Sequence, residues 1–373
     1  MNIGIDAKCL ARNYTGISVY CADIIRNLSL IDSKNNYILY SNKPIKIDFE
    51  LPSNFKIKII ASKKGTIFVR YKLKKILIKD KIDIFWGPDH CIPRKSKHYQ
   101  TFLTVHDLAI LQFKKISTVR NTFWIKFFLK KMCKEATKIL AVSNTTKEDI
   151  KKFYHIDNKV EVVYAGDSPY RNKEITYTKE ESDNILNKFG IDKKYMLFVS
   201  TIEPRKNVLN IVKAFNIFKD TNNDYKLVLA GGIGWRVESI LEEIKNSKYK
   251  EDIILTGYVD PLEKEVLYRN ANFFVFPSLY EGFGIPLLEA MSVGLPVLTS
   301  NISGMKEVAY DLGFMVDNPL DYEDIANKMS CISKLSMEQI NDIKNKSIER
   351  ANEFTREKSA RQIVSLISES KKS

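Results

Sequence analysis

The sequence predicts an α/β chain built from two doubly wound, Rossmann-like domains. Three observations carry this. Short apolar runs rich in Val, Ile and Phe alternate with helical stretches from one end to the other. The runs are nearly continuous in apolar character, as strands covered on both faces of a parallel sheet require. The pattern pauses at 166–192, a polar stretch with few aliphatics, and 373 residues suit two domains better than one.

In chain order, NIGID (2–6) reads as the first strand and 17–30 as the helix after it. YILY (37–40), KIKII (56–60), IDIFW (82–86), FLTVHD (102–107), KILAVS (138–143) and VEVVYA (160–165) complete the strands of the first half. The second half repeats the pattern with MLFVS (196–200), KLVLA (226–230), IILTG (253–257), FFVFP (273–277) and PVLTS (296–300). Helices near 207–220, 235–246, 262–270 and 286–293 connect these, and 321–334 and 336–354 read as two more. The expected layout is a first domain over 1–168, a second over 190–355, and a terminal helix at 356–373 that packs back on the first.

Composition narrows the function classes. No run of about 18 apolar residues exists, so no transmembrane helix is expected. MNIGIDAKCL lacks a basic segment followed by an apolar one, so no secretory signal is expected. Five scattered cysteines without a CxxC pair suggest a reducing, cytoplasmic setting. Four histidines at 90, 98, 106 and 155 lack metal-ligand spacing, and no Asp-x-Asp occurs, so no metal cofactor is expected. The net charge of +14 is uneven: residues 1–190 hold 35 Lys and Arg against 19 Asp and Glu, and the rest is near neutral. A basic first half calls for an anionic partner.

Ligands of doubly wound sheets bind outside the carboxyl ends of the strands. The loops there carry Thr15-Gly16, His106-Asp107, Thr201 to Asn207 and Gly231-Gly232-Ile233-Gly234. After FFVFP comes SLYEGFGIPLLEAM, in which Glu281 and Glu289 bracket Gly282, Gly284 and Pro286. Glycines permit unusual backbone angles and close ligand approach, Pro286 suits a first helical turn, and a helix start offers N–H groups to a phosphate. Arg205 and Lys206 at a helix start oppose its dipole, a local cost that an anionic ligand would relieve. Each loop alone could be an ordinary turn, whereas five together form a constellation.

The segments EGFGIPLLE (281–289), EPRKN (203–207), VHD (105–107), Gly16 and GLPV (294–297) resemble glycosyltransferase family 4, its mannosyl-type branch above all. The resemblance spans nearly the whole chain and implies the GT-B architecture, two facing Rossmann-like domains with a cleft between them. It implies a retaining transferase that moves a sugar from a nucleotide-sugar, GDP-mannose by EPRKN and VHDL. The acceptor would be a glycan or lipid-linked intermediate of surface polysaccharide such as O-antigen. It also implies roles. Arg205 and Lys206 bind the donor diphosphate and stabilise the leaving group without a metal. Glu289 accepts hydrogen bonds from the ribose. Glu281 orients the sugar without forming a covalent bond, and His106 stands near that sugar. Gly16 admits the diphosphate, and the N–H groups of Gly282, Phe283, Gly284 and Ile285 contact sugar and phosphate. Thr201 stands where several members carry a further arginine, so Arg205 is expected to carry more of the diphosphate.

The basic stretches 63–81 and 119–138 mix lysines with aromatics at helical spacing. That pattern fits either an ordinary amphipathic helix or one lying on an anionic membrane surface. Two other functions stay open: a nucleotide-sugar epimerase of the same architecture, and a basic nucleic-acid binder. No helix-turn-helix, RRM or zinc pattern supports the latter, so no nucleic-acid partner is expected.

Overall fold

The computed structural model describes residues 1–11, 16–62, 65–113 and 123–370. The chain forms two compact units, one of residues 1–165 with 355–373 and the other of 166–354.

The first unit is a seven-stranded parallel sheet in the order β3-β2-β1-β4-β5-β6-β7. Its strands are β1 (Asn2–Asp6), β2 (Asn36–Ser41), β3 (Phe55–Ile59), β4 (Ile84–Gly87), β5 (Gln100–Val105), β6 (Lys138–Ala141) and β7 (Val160–Val162). The apolar runs place Ile3 and Ile5 of β1 opposite Ile84 and Trp86 of β4. The terminal helix Arg356–Glu369 belongs to this unit, where Ser359 Oγ donates to Tyr164 O at 2.7 Å and Gln100 Nε2 to Ser370 O at 3.1 Å.

The second unit is a six-stranded parallel sheet in the order β10-β9-β8-β11-β12-β13. Its strands are β8 (Lys194–Val199), β9 (Tyr225–Ala230), β10 (Ile253–Gly257), β11 (Phe273–Phe276), β12 (Val297–Ser300) and β13 (Phe314–Val316). In each sheet the order reverses next to the unit's first strand, between β1 and β4 and between β8 and β11. Loops leaving those neighbouring strands diverge, and the crevice they leave is where such sheets bind ligands.

Three sequence expectations change. The pattern does not pause between domains at 166–192: these residues lie in the second unit, which begins at 166 and not at 190, and carry the helix Lys179–Lys188, opened by a Thr178–Glu181 capping box. The helix Ser303–Ala309 and strand β13 went unread, because seven and three residues are too short to show a period. In the second basic stretch, 119–122 lie outside the described residues; of the aromatics that follow, Trp124 packs against the core and the three phenylalanines do not. Ile125, Leu129 and Met132 are buried, while Phe123, Phe127 and Phe128 are each about half exposed.

Candidate functional site

The switch point of the second sheet gathers the residues that the sequence singled out. The loop after β8 runs through the turn Pro204–Lys206 to Asn207, which is left-handed at φ 64°. Asn207 Nδ2 is held by the carbonyls of Pro277 and Pro319, which ties this loop to the one after β11. Four charges then meet. Lys206 Nζ lies 2.5 Å from Glu281 Oε1, and Arg205 lies 3.1 Å from Glu281 Oε2 and 2.9 Å from Glu203 Oε1. Arg205 also donates to the Tyr280 carbonyl at 2.9 Å, and Trp235 Nε1 donates to Glu203 at 3.2 Å.

Glu281 and Lys206 are buried, so their charges are sustained by one another. Burial pushes the Glu281 carboxyl up, but Lys206 and then Arg205 outweigh it and hold it below the ordinary glutamate value. The helix-start cations therefore already face anions, Glu203 and Glu281, within the protein. The local cost that pointed to an anionic ligand is thus met, at least in part, by these two glutamates.

Glu289 sits one turn into the helix Ile285–Ser292, entered through Gly284 at φ 102°. It is buried as well, but its partners differ. Lys264 Nζ lies 2.8 Å from Oε1, and Tyr268 Oη donates to Oε2 at 3.0 Å. Each carboxylate oxygen keeps a second acceptor position. Lys264 and Tyr268 were not anticipated, although they stand four residues apart on one face of a predicted helix.

The glycine loop between the two glutamates is held from behind. Glu281 N donates to Ser303 Oγ and Gly304 N donates to Glu281 O, each at 3.1 Å. A Cβ on Gly304 would fall 2.7 Å from Gly282 O, so only glycine fits there. The Phe283 ring turns into the core against Phe354, at 5.3 Å between centroids, which leaves its side chain a packing role. In the Gly231 loop, a Cβ on Gly231 would meet Ser200 O at 2.0 Å and one on Gly234 would meet Ile202 O at 2.7 Å. These glycines exist to let the loop pack on residues 200–203, and Thr201 stays exposed there.

The switch point of the first sheet holds a second network, largely unread from the sequence. Lys8, just beyond β1, is buried 2.6 Å from Asp6 and 3.0 Å from Asp89. Burial favours a neutral amine, but Asp6 and Asp89 outweigh it and raise the Lys8 pKa. At the end of β5, His106 Nε2 lies 2.8 Å from Pro88 O, and its backbone N–H donates to His90 Nε2 at 2.7 Å. Enclosure by the protein, with His90 beside it, pulls the His106 pKa down to about 4. The strand-end rule that picked out His106 applies equally to Asp6, Asp89 and His90. Gly16 opens the helix Gly16–Ile31 on the exposed side, where a Cβ would meet nothing within 4 Å, and Thr15 lies outside the described residues.

Among the described residues, no group of three or more His, Cys, Asp or Glu is placed to hold a metal ion. No helix among them is long and apolar enough to cross a membrane.

With this geometry in view, comparison with known proteins gives consistent results. Residues 178–352 match the family model "Glycosyl transferases group 1", and residues 38–166 match "Glycosyltransferase Family 4". O-antigen chain mannosyltransferase B of Escherichia coli is 31% identical over 247 residues, 65% of this chain and 63% of that protein. O-antigen chain mannosyltransferase RfbU of Salmonella typhimurium is 29% identical over 234 residues, 62% of this chain and 61% of that protein. The chain thus spans under two thirds of these relatives' length. A glycosyltransferase structure from Rickettsia africae matches in fold with TM-score 0.73 and 19% identity, covering 99% of this chain and 98% of that one.

Proposed function

Since the chain belongs to glycosyltransferase family 4, with two Rossmann-like domains, we propose that it is a retaining hexosyltransferase. In this reading it transfers mannose from GDP-mannose to a glycan or lipid-linked acceptor during O-antigen-type polysaccharide synthesis. The observation that carries the proposal is the charge group at the second switch point, Arg205 and the buried Lys206 against the buried Glu281. Two cations anchored at a helix start suit a diphosphate, and they take up the charge that develops as the sugar departs. No metal is required for that role.

Glu289, oriented by Lys264 and Tyr268, accepts hydrogen bonds from the ribose hydroxyls. Glu281 orients the sugar. Both of its oxygens face cations, which lowers their nucleophilicity and favours positioning over covalent attack. The bond from C1 to the diphosphate breaks, and the bond from C1 to the acceptor oxygen forms on the same face. The acceptor proton passes to the departing phosphate oxygen. His106 contacts the sugar; Gly16, Thr201 and the N–H groups of residues 282–285 contribute to donor binding. The two O-antigen mannosyltransferase relatives support the choice of sugar and product class.

We assign the exposed aromatic cluster Phe123, Phe127 and Phe128 to an anionic membrane surface at the cytoplasmic face. Lys126 and Lys131 flank it, each attracted to anionic lipid by about 1 kcal/mol. Phe127→Ser should reduce co-sedimentation with vesicles of phosphatidylglycerol, and unchanged binding would remove this assignment.

The deciding experiment incubates the purified chain with GDP-mannose, UDP-glucose or UDP-galactose and a lipid-linked acceptor, with and without EDTA. Transfer from GDP-mannose alone, insensitive to EDTA and with the donor's anomeric configuration kept in the product, is expected. Conversion of the donor to an epimer without transfer would replace the proposal with the epimerase reading.

A further inference from the structure

We propose that His90 is a positioning residue for His106: the turn after β4 grips His106 through ring and backbone together and fixes which ring nitrogen carries the proton. The inference rests on the reading of His106 as a contact to the donor sugar.

A carbonyl oxygen only accepts, so the 2.8 Å contact between Pro88 O and His106 Nε2 requires the proton on Nε2. In the neutral ring Nδ1 is then an acceptor. A backbone N–H only donates, so the 2.7 Å bond from His106 N to His90 Nε2 requires that His90 nitrogen to be bare. His90 therefore carries its own proton on Nδ1. One short turn sets the tautomer of both rings, which lie 5.2 Å apart.

The turn is built to hold this arrangement. A Cβ on Gly87 would fall 2.0 Å from Cys91 O, so glycine lets the chain fold back sharply at the strand end. His90 itself is left-handed at φ 49°, a conformation that costs energy for a side chain without a special role. Between Pro88 and His90, Asp89 is pinned by Lys8, which Asp6 holds at the end of β1. Tyr20 packs edge-on against the His106 ring at 5.0 Å, and Arg356 stands over Tyr20 at 5.2 Å. The charged and titratable groups around the pair are thus Asp6, Lys8, Tyr20, Asp89, Asp107 and Arg356.

The consequence is chemical. His106 presents Nδ1 as a hydrogen-bond acceptor, so it selects a hydroxyl, which can donate, rather than a phosphate oxygen, which cannot. Protonating His90 would put an N–H where an acceptor is needed and release the His106 backbone.

The test labels the full chain with ¹⁵N-histidine and records two-bond ¹H–¹⁵N correlations near neutral pH. The expected spectrum has His106 protonated on Nε2 and His90 on Nδ1. His106 protonated on Nδ1 in the unaltered protein would overturn the proposal without any variant. His90→Leu removes the acceptor, and His90→Gln restores one in its Oε1. Mixed His106 tautomers and an approximately tenfold lower kcat are expected for His90→Leu, with GDP affinity within about twofold, as loss of one aligned hydrogen bond implies. His90→Gln should recover the parent spectrum and most of kcat. A His90→Leu protein with the parent tautomer and kcat would sink the proposal. His106→Ala separates the two ideas: parent-level turnover there refutes the sugar contact, while the tautomer spectra still decide the role of His90.

Discussion

The two sheets place a buried polar network at the same topological position and use it differently. At the second switch point, cations from the β8 loop meet a glutamate from the β11 loop, and the network ends in charged groups. At the first, one cation, Lys8, lies between two carboxylates, Asp6 and Asp89, and the network ends in two imidazoles whose pKa values burial lowers. Equivalent topology therefore does not give equivalent chemistry. On the proposed reading, the second site takes the charged part of the donor and the first its hydroxyl groups.

Removing the central lysine of each network separates shared from distinct effects. Lys206→Met and Lys8→Met each leave a buried carboxylate short of its partner, at about 3–5 kcal/mol by denaturant titration. Only Lys206→Met should also cut turnover, by about 10²–10³-fold, as expected on losing a preorganised charge at a leaving group. Equal loss of GDP affinity in both variants would erase the distinction.

Glu281→Gln should lower kcat about a hundredfold while GDP binds no more weakly than to the parent, since a carboxylate competing for Arg205 and Lys206 is gone. Weaker GDP binding would mean that Glu281 itself holds the nucleotide. Glu289→Ala should do the reverse, raising the GDP dissociation constant about tenfold through lost ribose hydrogen bonds. Its kcat at saturating donor should fall less than that of Glu281→Gln.

Acid should reach the first unit sooner. His106 has a folded pKa of about 4, below its unfolded value near ~6.5, so the unfolded chain binds the extra proton and stability falls as pH drops from about 6.5 to 4. Glu281 has a folded pKa below the unfolded value near ~4.3. Its contribution is complete above that value and is lost only as pH falls through the lower, folded one. Thermal melts at stepped pH should show His106→Gln flattening the upper window and Glu281→Gln only the lower. A His106→Gln protein with an unaltered melting profile between pH 6.5 and 4 would contradict the buried neutral imidazole.

Much of this was legible because strand ends mark sites. Twelve of the thirteen strands were readable as short runs rich in apolar residues, and the proposed site residues lie in loops and helix starts that come after such runs. Sequence did not show how site residues pair. Glu281 and Lys206 stand 75 positions apart and meet only because β8 and β11 are neighbours. Nor did it show that Gly304 backs the 281–284 loop, a steric fit that depends on the approach of two backbones. Lys264 was within reach, since its i,i+4 spacing with Tyr268 was visible once the helix was placed. The Asp6–Lys8–Asp89 network was missed because charged residues beside apolar runs usually mark a solvated end, whereas here the ion pairs allow Asp6 and Lys8 to be buried.

The central claim is that the charges at the second switch point hold a nucleotide diphosphate. It is tested most directly by calorimetric titration of the full chain and of Arg205→Ala with GDP and with guanosine. The account predicts that the parent binds GDP far more tightly than guanosine and that Arg205→Ala loses at least about tenfold for GDP and little for guanosine. Equal GDP affinity in parent and variant would contradict it.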